Sequence, residues 1–331
     1  MHEMQILLIL IIFFALVFDY VNGFHDSANA IATVVSTRAL SPRDGVLLAG
    51  ALNIVGAFLS TNVAKTIGKG LVEVEAVTQL VILSGLAGAI IWNLITWYFG
   101  LPSSSSHALI GGLVGAVIVH SGFKVVYWKA IFSKILLPAL VSPIIGLVIG
   151  FLFMLILMWA FRKAVPGVIN KFFRKFQILS ASFMALSHGT NDAQKTMGII
   201  ALALFTSGYI SSFYIPFWVK ITCAVVMGLG TAGGGWRIIK TLGSKTVKLQ
   251  PIQGFAAETS ASLVLLGTAH LGFPVSTTHV ITAAIMGAGA TQRLSAVRWG
   301  VANTILMAWV MTLPAAAIMS GISYKILAIW F

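Results

Sequence analysis

The sequence predicts an all-α polytopic membrane protein built as an inverted repeat, with broken helices and two re-entrant hairpins. Three observations predict it. The 331 residues are 58% hydrophobic and only 9% charged, with a mean hydropathy of +0.98, whereas a soluble domain carries roughly a quarter charged residues. Successive apolar runs cover nearly the whole length and leave no room for a soluble domain of ordinary size. The chain also matches itself, and its Lys and Arg residues gather beside the apolar runs.

The self-match has three parts in the same order. GFHDSANA (23–30) aligns with GTNDAQKT (189–196), so that Gly23 meets Gly189, His25 meets Asn191 and Asp26 meets Asp192. GLPSSSSH (100–107) aligns with GFPVSTTH (272–279), pairing Pro102 with Pro274, Ser104 with Ser276 and His107 with His279. A weaker pair, KTIG (65–68) and KTLG (240–243), lies between them. The expected organisation is a first repeat over 1–165, a basic linker over 166–177 and a second repeat over 178–331.

The elements follow in order. The first apolar run is longer than a secretory signal and has no basic stretch before it, which makes it a membrane segment. Crossings are expected near 4–37, 45–64 and 131–161, then 178–207, 217–236 and 299–325. The hairpins are expected over 76–120 and 252–290, turning at the Pro-Ser/Thr stretches, although 76–101 is long enough to cross alone. The loops 38–44, 162–177, 237–250 and 291–298 then share one side. They hold thirteen Lys and Arg residues against seven on the other side, Lys195 not counted. That asymmetry places the central loop in the cytoplasm and both termini outside. Three crossings per half is an odd number, so the second half must be inverted, a plan that recurs in secondary transporters.

The net charge of +13 suits cytoplasmic loops of a membrane protein better than nucleic-acid binding, and no nucleic-acid partner is expected. The single cysteine, Cys223, excludes an intrachain disulfide and a cysteine metal cluster. No HExxH, GxxxxGK or nucleophile elbow occurs, so neither enzyme chemistry nor a resident cofactor is expected.

A carboxylate at membrane depth costs roughly 2.5–3.5 kcal/mol on insertion scales, so it marks a cavity, a partner or an ion. Of eight acidic residues, Asp26, Asp192 and Glu258 stand in long apolar contexts, and two of these occupy matched positions. On a helix Asn22, His25, Asp26 and Asn29 share a face, as do His188, Asn191, Asp192 and Lys195. Carboxylate and amide oxygens suit a hard cation, and Gly23 and Gly189 would permit local unwinding that frees carbonyls. Asn22, His25, Asp26, Asn29, Asn191, Asp192 and Glu258 are therefore candidates for a cation or proton site; the alternative is a buried polar network that ties helices together. His25 differs from its mate Asn191 in being able to take a proton near neutral pH. Lys195 is either a counter-charge to Asp192 or an anion contact. His188 and Asp192 have metal-seeding spacing, with no third ligand nearby in sequence.

The two Pro-Ser/Thr turns read as helix starts. Backbone N–H groups there point at an anion, and the hydroxyls of Ser104, Ser105, Ser106, Ser276, Thr277 and Thr278 add donors. Facing each other, the tips would make a neutral cradle for a tetrahedral oxyanion; the alternative is two ordinary capped helices. His107 and His279 either touch that cradle or bond a carbonyl one turn back.

These motifs resemble the inorganic phosphate transporter (PiT) family, whose signature segments centre on Gly-x-Asn-Asp. GTNDAQKT fits that pattern and GFHDSANA is its variant. The resemblance spans essentially the whole chain and implies a symporter of inorganic phosphate, commonly a homodimer, in the cell membrane among its lipids. It places the coupling cation on the Asp and Asn positions and phosphate on the hairpin tips and Lys195. The His-for-Asn change resembles the prokaryotic low-affinity phosphate permease branch, which is proton-coupled and carries metal–phosphate complexes. For a sodium-coupled member, Asp26, Asn29, Asn191 and Asp192 would be the ion's ligands. The family also holds sulfate permeases, so another tetrahedral oxyanion is the alternative cargo.

Overall fold

The computed structural model describes residues 2–330, which form helices joined by short connections. The first half runs α1 (His2–Ser36), α2 (Pro42–Gly56), α3 (Asn62–Lys69), α4 (Gln79–Phe99) and α5 (Ser105–Ser121). It ends with α6 (Trp128–Ala130), which continues through a π-helical stretch into α7 (Leu137–Ala160). The second half runs α8 (Pro166–Thr206), α9 (Phe217–Gly233), α10 (Trp236–Lys240), α11 (Pro251–His270), α12 (Thr277–Ala290) and α13 (Trp299–Leu327).

The halves are not side-by-side units. α1 packs on α9 and α2 on α8; α13 covers the α4–α5 hairpin, and α7 covers α11 and α12. Each half is thus completed by the other. α1 and α8 cross at the centre.

Polarity runs opposite to that of a soluble protein. Leu140, Ile144, Ile156 and Trp159 of α7 and Val310 and Ile318 of α13 are exposed, while Asp19, Asp26, Asp192, Lys195 and Glu258 are buried. An apolar skin around a polar interior is what a bilayer imposes. Among the described residues, four helical spans are long and apolar enough to cross a membrane: Gln5–Ser36, Gln79–Phe99, Trp128–Ala160 and Trp299–Leu327. α8 falls short on hydropathy because its middle carries the polar run from His188 to Lys195, every residue of which is buried by neighbouring helices.

Several expectations are corrected. The helix does not unwind at Gly23 or Gly189; α1 and α8 are continuous through both. These glycines serve close crossing instead. A Cβ on Gly23 would stand 2.6 Å from the Met227 carbonyl oxygen of α9, and one on Gly189 would stand 2.3 Å from the Asn53 carbonyl oxygen of α2. The breaks fall elsewhere. The expected crossing 45–64 ends at Gly56 and resumes at Asn62. The crossing 217–236 breaks at Gly234 and Gly235, where the segments Phe217–Gly233 and Trp236–Thr246 meet at a 57° bend. The segment 166–177 is not a loop but the first three turns of α8, with Phe173 and Gln177 buried.

The two hairpins share one turn geometry. Gly100 (φ +65°) and Gly272 (φ +76°) occupy matched left-handed positions. Leu101 N–H donates to the Thr96 carbonyl at 2.8 Å and Phe273 N–H to the Thr268 carbonyl at 3.0 Å. Each turn is held by the opposite half: Thr241 donates to the Gly100 carbonyl at 2.9 Å and Thr66 to the Gly272 carbonyl at 2.8 Å. Those threonines belong to KTLG and KTIG, so the weak sequence match marks a matched latch.

Candidate functional site

The site forms where the middles of α1 and α8 meet the two hairpin tips. The motif faces of α1 and α8 meet in the interior, while Gly23 and Gly189 seat these helices against α9 and α2. Asp26 and Asp192, 166 residues apart in the chain, join His188 in one cluster whose ligand atoms lie within 4.8 Å of one another. Asp26 is therefore the third ligand that spacing along the sequence did not reveal.

The two carboxylates have different partners. Asp26 Oδ1 lies 2.7 Å from His25 Nδ1. His25 Nε2 lies 3.1 Å from Thr96 Oγ1, at the end of α4. Thr96 itself lies within donating range of the Trp92 and Asn93 carbonyls and accepts from Ser103 at 2.9 Å. Asp192 Oδ1 accepts from Lys195 Nζ at 2.5 Å, one helical turn along α8, and both side chains are fully buried. Its Oδ2 lies 3.2 Å from His188 Nε2, though without hydrogen-bond geometry. His188 Nδ1 faces the Asn53 side-chain oxygen at 3.1 Å, and Asn53 donates through its amide nitrogen to Thr231 at 2.7 Å.

The second hairpin tip closes on this cluster. Asn29 Nδ2 donates to Thr277 at 3.1 Å and to Thr278 at 2.9 Å. Thr277 donates to Asp192 Oδ2 at 3.1 Å, and Thr278 lies 3.4 Å from Asp26 Oδ1. Thr277 and Thr278, expected to hold the anion, thus contact Asn29, Asp26 and Asp192, expected to hold the cation. The first tip is built alike but engages differently. Ser104 caps α5 by accepting from His107 N–H at 3.2 Å, as Ser276 caps α12 by accepting from His279 N–H at 3.2 Å. Ser106 donates to the Val275 carbonyl at 3.3 Å, joining the tips, while the Ser105 hydroxyl is buried without a partner. The His107 and His279 rings meet at 5.0 Å, and His279 stacks on Trp309 at 3.9 Å. Their role is contact between the two hairpin arms, which neither sequence expectation anticipated.

Other candidates are placed as follows. Both side-chain polar atoms of Asn22 and of Asn191, and Asn29 Oδ1, are buried and have no hydrogen-bond partner. Lys195 Nζ pairs with Asp192, and both side chains are fully buried. Glu258 is apart from the cluster. It accepts from Thr33, from Ser180 and, at 3.3 Å, from Gln177 Nε2. Thr33 lies seven residues beyond Asp26, about 10 Å along α1.

Sequence reasoning missed Asp19. It is fully buried and accepts from Thr196 at 2.8 Å, with its second oxygen unpartnered. Its spacing from Asp26, also seven residues, could have revealed it as a member of the same helix face. Thr33, Gln177 and Ser180 were missed because nothing in their local sequence marks them; only the packing of α11 on α8 and on α1 brings them to Glu258.

A model of the phosphate transporter family matches residues 22–320. The chain belongs to that family. It is 52% identical over 320 residues to a protein of Rhizobium meliloti (strain 1021) named "Probable low-affinity inorganic phosphate transporter", covering 96% of both chains. It is 48% identical over 334 residues to a protein of the same name from Bacillus subtilis (strain 168), covering both in full. A solved structure, "The sodium-dependent phosphate transporter", superposes with a TM-score of 0.89 at 27% identity, over 98% of this chain and 100% of that one. This phosphate transporter is accordingly a multi-pass membrane permease and not an enzyme.

Proposed function

We propose that the chain is a symporter that takes up inorganic phosphate together with protons, by alternating access of the hairpin tips to the two sides of the cell membrane. The observation that carries the proton is the surroundings of His25. Nδ1 faces a carboxylate and Nε2 faces a threonine oxygen whose own hydrogen is directed to a helix carbonyl. Both ring nitrogens are best satisfied as donors, and only the imidazolium donates twice. A proton on His25 would offset the Asp26 charge as the phosphate enters. Phosphate is assigned to the hydroxyls and helix starts of the two tips, Ser104–Ser106 and Ser276–Thr278. The solved relative is named sodium-dependent; sodium on Asp26, Asn29, Asn191 and Asp192 is the competing reading of the coupling ion. Sulfate, also tetrahedral, is the competing cargo.

The short second arms of the hairpins support re-entry, although α4, with 21 residues, is long enough to cross. α5 has 17 residues and α12 has 14, about 25 Å and 21 Å, against a hydrocarbon core of roughly 30 Å. Both are buried along most of their length. The exchanged packing of the halves supports inverted repeats, which with the Lys and Arg asymmetry keeps both termini outside. A homodimer is retained from the family resemblance.

A second reading, carriage of a metal–phosphate complex, is favoured by one observation. The ligand atoms of Asp26, His188 and Asp192 lie within 4.8 Å of one another, close enough to share one cation. Asp26, His188 and Asp192 would then hold a divalent ion beside the phosphate.

Uptake of labelled phosphate into proteoliposomes, with proton and sodium gradients imposed separately, tests the proposal. Uptake driven by an inward proton gradient is expected. Uptake driven by sodium alone would sink proton coupling, and sulfate displacing phosphate at equal concentration would sink the assigned cargo. Stimulation by magnesium or cobalt in step with uptake of the metal is expected on the second reading.

A further inference from the structure

The repeat relation carries the argument one step further, resting on the symporter reading. Asp26 and Asp192 are mates in the two motifs, and so, three residues on, are Asn29 and Lys195. The first motif places a neutral amide beside its carboxylate; the second places an ammonium there. Lys195 is among the largest fully buried side chains of the protein. Its Nζ lies 2.5 Å from Asp192 Oδ1, in direct ion-pair contact. An amide oxygen and a carboxylate at this spacing can share a small hard cation. An ammonium on the carboxylate occupies the same place with the same charge, and it is tethered to the chain.

We infer that Lys195 is a built-in cation filling the second repeat's ion position, so that the chain takes no free monovalent cation at Asp192 and its exchangeable cation is confined to the first repeat. The carboxylates then differ in kind. Asp192 is neutralised in every state by a group that cannot leave. Asp26 has no tethered ammonium beside it, since Asn29 stands at the position matched to Lys195, so the cation that neutralises it is exchangeable. Such a protein couples to one fewer mobile cation than a symmetric one would. The Asn191 amide, buried without a partner one residue before Asp192, supplies the oxygen that a free ion would need if Lys195 were removed.

The test compares the full-length protein with Lys195→Asn, which installs the first repeat's residue, and with Lys195→Arg, which keeps the charge. Two quantities are measured: binding of radioactive sodium to the purified protein, and sodium dependence of phosphate uptake in proteoliposomes. Wild type and Lys195→Arg are expected to bind no sodium above background, with phosphate uptake unchanged within twofold by a sodium gradient. Lys195→Asn is expected to bind sodium and to show uptake stimulated at least tenfold by it. A purely structural lysine would lower protein yield without creating sodium dependence. Folded Lys195→Asn that binds no sodium overturns the inference. So does saturable sodium binding by wild type that persists in Asp26→Asn, because sodium held at the first repeat alone would be lost there; this decides the matter even where the Lys195 variant does not fold. Wild type that moves no phosphate under any gradient would sink the symporter reading instead, and leaves the sodium-binding arm standing on its own.

Discussion

Two carboxylate environments lie along the motif face of α1, and they stand in opposite relations to the repeat. At the centre Asp26 has a mate in Asp192, and both meet the same hairpin tip through Thr278 and Thr277. One turn pair further on, Glu258 has no mate. Its position in the first repeat is taken by Leu86, and Thr33 and Gln177 are matched by Ile199 and Ile11, all buried in one apolar cluster. The difference separates two kinds of requirement. On the proposed alternating-access reading, a substrate held between two halves is met from both, so its acids come in pairs, and an acid present once serves only one of the two facing states.

The largest expected effects fall on the paired acids, and they differ between the pair. Asp26→Asn should lower proton-driven phosphate uptake at least about 100-fold, the equivalent of about 2.7 kcal/mol. Its stability should suffer little, since the amide can still hydrogen-bond the His25 ring nitrogen that faces this position. Asp192→Asn strands the Lys195 ammonium without a counter-charge, and breaking a buried pair costs about 3–5 kcal/mol. That variant should unfold at a clearly lower temperature in detergent. Equal melting temperatures for the two variants would erase the asymmetry drawn between the motifs.

Glu258→Gln comes next. The carboxyl accepts from three side chains, and leaving a buried polar group unsatisfied costs about 1–3 kcal/mol. The amide keeps one acceptor oxygen and turns the other contact donor-to-donor, so a loss of about 2–3 kcal/mol is expected by thermal unfolding. If Glu258 acts on one side only, the variant should slow uptake while phosphate exchange at equilibrium is reduced less. Equal loss in both assays would place Glu258 with the paired acids and dissolve the comparison.

Much of this was legible in the sequence because duplication writes itself twice. The matched Asp residues, the Ser and Thr tips and even the KTIG and KTLG pair could be aligned from the chain alone. What was not legible came from contacts between halves. Gly23 and Gly189 suggested unwinding because a glycine permits it, but whether that freedom is used depends on the neighbouring helix; the carbonyls of Met227 and Asn53 stand where a Cβ would go. α8 was bounded at 178 because basic residues read as loop, while burial of Phe173 and Gln177 extends the helix back to Pro166. Asp19 escaped notice because it has no mate: the matched position is Ala185.

The smallest effect tests the comparison from the symmetric side. Thr66 and Thr241 each donate one hydrogen bond, at 2.8 Å and 2.9 Å, to the carbonyl of the opposite half's hairpin glycine. Thr→Val keeps shape and removes the donor, so each substitution should cost about 1 kcal/mol. Because the bonds are mates, the two costs should agree to within a few tenths, and the double variant should be additive, the sites being distant and sharing no partner. Their surroundings are not quite equal: Thr66 is a partly buried contact, whereas Thr241 is buried. Water can replace the lost donor more easily at Gly272, so any inequality should make Thr241→Val the costlier change. The opposite order would mean that the latch on the first hairpin is the weaker one, and the matched turns at Gly100 and Gly272 would then be alike in geometry but not in strength.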